Sequence, residues 1–468
     1  MNTILLQPID VLFFRDGRPM SGSLAGHGAA WPLPHVINAA FHAALHRAFV
    51  DDLQIGASHS PASRDRETGQ RIYSAKGEHD RRFVDVWSAG PFPVDKEGEW
   101  FFPRPADAQE SGTARVTLKP FRDDSTRDRS SLPGPLRFAV ANTEPPNKEA
   151  KGEPWLNLEA WQTYLNPLSG SSSDSARYLN DSDIFDREHQ IGVQIDPATQ
   201  TTGQGDAAGK IHSAHYLRLR DGFRLGTAAG DGRNGDSRLF DKLFAEEQRI
   251  IVGGQQRVCT AEPRQVKELP LPTGARSFAK DSVTKKCLVK WVLLTPAIWP
   301  EIPAERDGHS ILDRDGKPII AHHGGWLPSW VDLEGKVRLR AIGDERPRGR
   351  MHRKEWRDLL QKRPEIQARL VAALVPKPVV VTGWALNLQA DGAVPGAKST
   401  HLAVPAGAVY YFEADSPEEA QKLANALNWH GSGDGTEIKN RRSTLLGEKG
   451  FGLGVCGTWK FYGEGGAT

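Results

Sequence analysis

The densest chemical signal in this sequence is Gly447-Glu-Lys-Gly450-Phe-Gly452-Leu-Gly454-Val-Cys-Gly457, with five glycines in eleven residues. Glycine at that density lets a backbone approach another chain closely and present its N–H groups to an anion. Lys449 would add charge there, and Phe451 a face on which a base can stack. Gly452 to Gly457 also spells G-x-G-x-x-G, but the dinucleotide fingerprint follows a strand and opens a helix. Here the strand-like VCGTWKFY follows, so the nucleotide-fold reading fails. A phosphate-facing loop or a turn serving chain geometry alone remains. Near the N-terminus, Arg15-Asp-Gly-Arg18-Pro19 comes directly after an apolar run. Asp-Gly shortly before Pro is a turn signal, and the two arginines are suited to clamping phosphates. A plain surface turn fits the same residues.

Histidine is the usual acid or base of RNA cleavage. His42 and His46 stand four apart, on one face of a predicted helix and at metal-ligand spacing. The intervening Ala43, Ala44 and Leu45 read as ordinary helix packing. His322-His323 precedes Gly324-Gly325 with no third ligand in view. His189, beside Glu188 and Gln190, reads as a loop residue able to touch RNA. There is no G-x-S-x-G elbow. The three cysteines, Cys259, Cys287 and Cys456, are too scattered for a zinc site or a disulfide framework. Nothing here specifies a nuclease, a metal or a cofactor.

With 60 basic residues against 58 acidic, only the distribution of charge can speak to nucleic acid. Between Arg338 and Arg369 there are eleven Lys and Arg against five Asp and Glu. Much of that excess lies in Arg346, Arg348, Arg350, Arg353 and Lys354. Counterion release gives such a patch a use in RNA binding, and a solvated surface explains it equally well. No apolar run reaches membrane-spanning length, and the N-terminus lacks the basic region of a secretory signal, so a cytoplasmic protein is expected.

The length of 468 residues makes two domains the natural expectation. In the C-terminal part, strands are predicted at Cys287–Leu294, 377–386, 407–413 and 455–462. A helical pattern around Trp356 to Leu370 and a helix from Ser416-Pro417-Glu418-Glu419 to about Trp429 separate them. The order β-α-β-β-α-β is the ferredoxin-like arrangement common among RNA-binding domains. The N-terminal part begins the same way, with a strand at 4–14 and a helix at 34–49. Further strands are predicted at 136–141, 192–195, 215–219 and 249–252, and helices at 156–164 and 237–247. Stretches 54–80 and 104–134 read as long polar insertions, and 196–210 as the tip of a hairpin or arm. The expected fold is α+β: two ferredoxin-like (RRM-like) domains, residues 1–285 with insertions and residues 286–468.

Taken in order, several motifs resemble the RAMP proteins of type III-B CRISPR systems, and among them the third-subunit family of the Cmr effector complex. They are the opening PIDVLFFRDGRP at 8–19, WPLP at 31–34, EHQIGVQID at 188–196 and IVGGQQR at 251–257. Gly383-Trp384, VPAGAVYYFE at 404–413 and GFGLG at 450–454 complete the set. The resemblance implies a structural, non-catalytic subunit of an antiviral ribonucleoprotein. It would bind the 5′ tag of the CRISPR RNA and bridge the backbone RAMP subunit to the large polymerase/cyclase subunit. It further implies RNA-facing roles for Arg15, Arg18, His189, Gln190, Gln256, Arg257, Lys449, Gly450, Phe451, Gly452 and Gly454. Gln255 departs from the acidic residue expected in the 253–257 segment. The competing reading is a RAMP endoribonuclease that processes precursor CRISPR RNA with a histidine. A subunit of a related type III complex would differ in partners more than in chemistry.

Overall fold

The computed structural model describes residues 2–15, 24–26, 31–49, 63–64, 71–72, 86–111, 114–122, 131–141, 152–166, 175–193, 195–196, 198–202, 211–231, 239–306, 308–311, 318–341, 359, 362–385, 396–397 and 399–463. The labelled elements are β1 (Asn2–Pro8), α1 (Pro34–Ala48), β2 (Val86–Val94), α2 (Leu158–Leu165), β3 (Phe185–Val193), β4 (Ile211–Leu219) and β5 (Arg224–Asp231). They continue with β6 (Gln248–Ile251), β7 (Val258–Gln265), β8 (Cys287–Leu293), β9 (Ala368–Leu374), β10 (Val409–Ala414), α3 (Pro417–Leu427) and β11 (Gly454–Thr458). The protein is a mixed α/β structure of mostly antiparallel sheets with few helices.

One five-stranded sheet has the order β6-β7-β1-β5-β2. Its centre, β1, is buried from Asn2 to Leu6 because strands cover both of its edges. Helix α1 packs through Ile37, Phe41 and Leu45, four apart along one face. Phe41 meets Phe240 and Phe244 edge-on, at 5.3 and 5.4 Å between centroids. Strand β5 carries glycine where neighbours press in: a Cβ at Gly230 would lie 3.0 Å from the Trp87 indole.

The second sheet runs β11-β8-β10-β9, with a short strand Ala279–Lys280 also on β8. All seven residues of β8 are buried, Lys290 among them. Helix α3 starts as its sequence predicts: the Ser416 side chain accepts from the Glu419 N–H, Pro417 opens the first turn and Glu418 and Glu419 face the positive end. The two sheets share a core in which Leu5, Phe92, Trp161 and Ala228 pack with Leu288, Tyr411, Trp429 and Val455.

A polar knot lies in that shared core. Asp107, fully buried, accepts from the Tyr164 hydroxyl at 2.6 Å and the Tyr411 hydroxyl at 2.9 Å. The Lys290 ammonium stands 3.7 Å from the same carboxylate and 3.5 Å from the centre of the Tyr164 ring.

Several expectations need correction. The end of the 356–370 pattern is extended, not helical: Ala368 to Leu370 belong to β9, and Leu370 pairs with Phe412 as β9 joins the edge of the sheet. Lateral pairing of an apolar, β-compatible stretch overrides its helical spacing. The strand expected at 377–386 is broken into Val379–Val381, paired in a separate ribbon with His401–Ala403, and Trp384–Ala385, paired with Gly396–Ala397. The 104–134 stretch holds a hairpin, Ala108–Ser111 with Ala114–Thr117, and the buried Asp107. The hairpin expected around 196–210 is larger, because β3 and β4 pair along their whole length. Among the described residues no helix is long and apolar enough to cross a membrane.

Candidate nucleic-acid interface

The glycine-rich segment makes its close approaches to its own chain. Gly447–Lys449 is one 3₁₀ turn, flanked by Leu446 (φ 58°) and Gly450 (φ 91°) in left-handed geometry. A Cβ on Gly450 would lie 2.7 Å from the Ser88 carbonyl of β2, one on Gly452 would collide with the backbone of Ser443, and one on Gly454 with the Trp291 indole. Phe451 is fully buried against Ile298, Val381 and Ala403, with the His35 ring at 5.8 Å. Phe451 therefore presents no open face for a base, contrary to the sequence expectation: a large apolar ring gains more from the core than from water. Gly450, Gly452 and Gly454 are buried with it, whereas Lys449 is half-exposed at the turn.

The second group of expected contacts gathers where the chain leaves β1. Arg15 is exposed; Arg18 lies outside the described residues. The Phe13 carbonyl accepts from the Gly254 N–H at 2.8 Å, which brings the 253–257 loop beside Arg15. Gln255 and Gln256 both adopt left-handed φ, 55° and 53°. The Gln255 Oε1 accepts from Tyr216 at 2.8 Å and Arg257 at 3.3 Å. These are bonds that a carboxylate would accept, so an amide serves in place of the expected acid. Arg257 lies over the Tyr216 ring and 3.5 Å from Asp10, which also pairs with Arg218. On the neighbouring ribbon His189 stacks on His215, centroids 4.7 Å apart, and His189, Gln190 and Gln256 are exposed.

Between these groups opens a cavity of about 520 Å³. The first turn of α1 forms one wall, with Leu33 as an N-cap that supplies no side-chain bond and no acidic residue in the turn. Trp31, Trp155 and Phe92 supply aromatic walls. The Trp31 indole N–H donates to the Pro91 carbonyl and that of Trp155 to Asp181, both at 2.9 Å, so each ring is held by its polar edge. Arg15, Lys377 and His35 are the charged or titratable groups among the described lining residues, and no carboxylate joins them. An aromatic wall beside cations, with no carboxylate among the described lining residues, suits a planar apolar body carrying negative charge. Sequence reading missed Lys377 and Trp155 because only the fold brings positions 15, 155 and 377 together.

The remaining candidates are engaged structurally. His322 uses both ring nitrogens, one with the Val331 carbonyl at 2.8 Å and one accepting from the Gly324 N–H at 3.0 Å. His42 and His46 are half-buried along α1, and among the described residues no cluster of three or more His, Cys, Asp or Glu could hold a metal. All three cysteines are buried, and burial pushes the Cys259 thiol up to about 12. Of the basic excess, Arg346 to Lys354 fall outside the described residues. Arg338 pairs with Glu365 and Asp332, and Arg369 donates to the Glu334 carbonyl.

The family model described as CRISPR-associated protein (Cas_Cmr3) matches residues 4–459. The chain belongs to that family. This is the family that the motif series resembles. Comparison with curated proteins gave no match. Among solved structures, this Cmr3-family chain is similar to one in the cryo-EM structure of the type III-B Cmr-beta complex bound to cognate target RNA and AMPPnP. Identity there is 12%, over 87% of this chain and 86% of that one, with a TM-score of 0.36. It is also similar to a chain of the Csm3–Csm4 subcomplex of the type III-A interference complex, at 9% identity over 88% and 92% and a TM-score of 0.33.

Proposed function

We propose that this Cmr3-family chain binds the 5′ tag of a CRISPR guide RNA as a non-catalytic, cytoplasmic subunit of a type III-B Cmr complex. Its partners there are the large polymerase/cyclase subunit and the backbone RAMP subunit. The observation that carries the reading is the cavity at the start of α1, with cations at its lining, aromatic walls and no carboxylate among the described lining residues. Single-stranded RNA is held by this combination of phosphate contacts and aromatic surfaces. The strand orders support two ferredoxin-like domains, 1–285 and 286–468. Numbered by chain order, β7-β1-β5-β2 and β11-β8-β10-β9 both read 4-1-3-2.

Filter binding of tag-bearing RNA to the purified chain tests the proposal. The RNA is retained, recovered intact, and bound about tenfold or more weakly by Arg15→Ala/Lys377→Ala, the scale of lost charge-assisted contacts. Equal retention of the tag-bearing RNA by wild type and double variant refutes the site, and retention of a scrambled tag as tight as that of the tag by wild type refutes tag recognition. Site-specific cutting that disappears in His42→Ala or His46→Ala replaces the proposal with the endoribonuclease reading.

A further inference from the structure

Arg441 and Arg442 are consecutive in the stretch from α3 to the glycine-rich turn, and the fold treats them differently. Arg442 reaches the C-terminal end of α3, where its Nε donates to the Ala426 carbonyl at 2.7 Å and a terminal nitrogen to Asn440 at 3.4 Å. Among the described residues Arg441 has no such acceptor. Its Nε is buried without a hydrogen-bond partner. Among the described residues its interactions are the Trp87 ring, 5.8 Å from guanidinium carbon to centroid, and the field of the exposed Glu448.

The surroundings fix where that cation sits. Trp87 lies on β2 across Gly230 of β5, so its indole is a wall supported from behind. The turn Gly447–Lys449 covers another side, since a Cβ on Gly447 would lie 3.6 Å from the Arg441 Cβ. The same segment continues to Gly450 against Ser88 and to Phe451 against His35, the latter a lining residue of the cavity. Burial draws the Arg441 guanidinium down to about 10, which leaves it charged at neutral pH.

A desolvated cation without an acceptor is costly, and an aromatic face returns only part of the cost. The planar fork of a guanidinium is matched bidentately by a phosphate. We propose that Arg441 anchors one backbone phosphate of bound RNA, at the edge of the turn Gly447–Lys449 and against the face of Trp87. This rests on the RNA-binding reading above and adds a contact that the sequence did not single out. Lys449 in the same turn, and a neighbouring cavity whose described lining lacks carboxylates, favour a phosphate over a carboxylate from a partner subunit.

The test uses the full chain, tag-bearing RNA, and the variants Arg441→Met and Arg441→Lys. Removing a half-buried cation that has no acceptor among the described residues leaves the melting temperature of the free chain unchanged or higher. RNA binding falls about 10- to 100-fold, the scale of a lost charge-assisted hydrogen bond. The slope of log K against log salt becomes shallower by about 0.7, one single-strand phosphate contact. Arg441→Lys restores the slope but only part of the affinity. If wild type binds and Arg441→Met matches it in affinity and slope, the anchor is refuted while the RNA-binding reading stands. A lower melting temperature with an unchanged slope makes the residue structural and also refutes the anchor. Unchanged RNA binding together with lost affinity for the large subunit assigns Arg441 to a protein carboxylate instead. No RNA binding by wild type removes the parent reading and the anchor with it.

Discussion

Replacing Asp107 with alanine should cost the chain about 4 kcal/mol of stability, on the scale of breaking a buried ion pair. The carboxylate is fully buried and accepts from two tyrosine hydroxyls at 2.6 and 2.9 Å. Hydrogen bonds to a charged group contribute about 1.5–3 kcal/mol each, so the two alone account for about 3–6 kcal/mol. Lys290, 2% exposed, would also lose the carboxylate 3.7 Å away and remain buried without its counter-charge. Burial works to lower the Lys290 ammonium's pKa and Asp107 works to raise it, so removing Asp107 tips the lysine toward its neutral form. That relaxation keeps the total below the plain sum. Denaturant titration should show a lower first-transition midpoint for Asp107→Ala. The knot joins α2, β8, β10 and the 107 loop, so the loss should fall on the transition that separates the two sheets. Asp107→Ala/Lys290→Met should recover about 2 kcal/mol or more over Asp107→Ala, because removing both charges leaves no unpaired ion. A loss below about 1 kcal/mol for the single variant, or strictly additive losses in the double, would refute an energetically coupled pair.

Gly450→Ala should destabilise the fold by about 2–4 kcal/mol, since φ is 91° and the new Cβ would meet the Ser88 carbonyl at 2.7 Å. Intact stability with weakened RNA binding would show instead that the glycine serves the ligand. Alkaline pH should unfold the chain early. Burial, reinforced by Asp107, holds the Tyr164 and Tyr411 hydroxyls well above their usual range. Their contribution is therefore intact below about pH 10, the unfolded-state value, and is lost as pH rises beyond it because the unfolded chain releases those protons first. Denaturation midpoints between pH 8 and 11 should fall more steeply for wild type than for Tyr411→Phe; parallel curves would contradict this assignment.

The elements legible in the sequence are those whose local pattern and tertiary use agree. Helix α1 shows apolar residues four apart, α3 carries a Ser-Pro-Glu-Glu start, and β8 is a continuous apolar run. Two strands of the first sheet were illegible for equally local reasons. Strand β2 contains two prolines, and β5 is mostly small residues with two glycines, each composition discouraging a strand assignment. Both form because β1 and its neighbours offer paired edges, and because the β5 glycines admit the Trp87 and Trp100 rings. Position 356–370 failed in the opposite direction: helical spacing was present, and its last residues, Ala368 to Leu370, were claimed by the edge of β10.

The site divides along a similar line. Glycine density at 447–457 correctly signalled close backbone approach, but such density carries no information about which chain approaches. Ser88, Ser443 and Trp291 fill those spaces from within the protein, which turns a supposed binding loop into a wedge that holds its neighbours in place. What the wedge leaves for a ligand is its rim, Lys449 and Arg441, and the adjoining cavity. Arg441 looked like one arginine of an ordinary pair, since sequence cannot distinguish a guanidinium bonded to carbonyls, as Arg442 is, from one lacking an acceptor. The distinction is energetic. A guanidinium whose Nε the fold buries without an acceptor among the described residues points to a ligand on grounds that an exposed arginine does not offer, and Arg441 meets that condition.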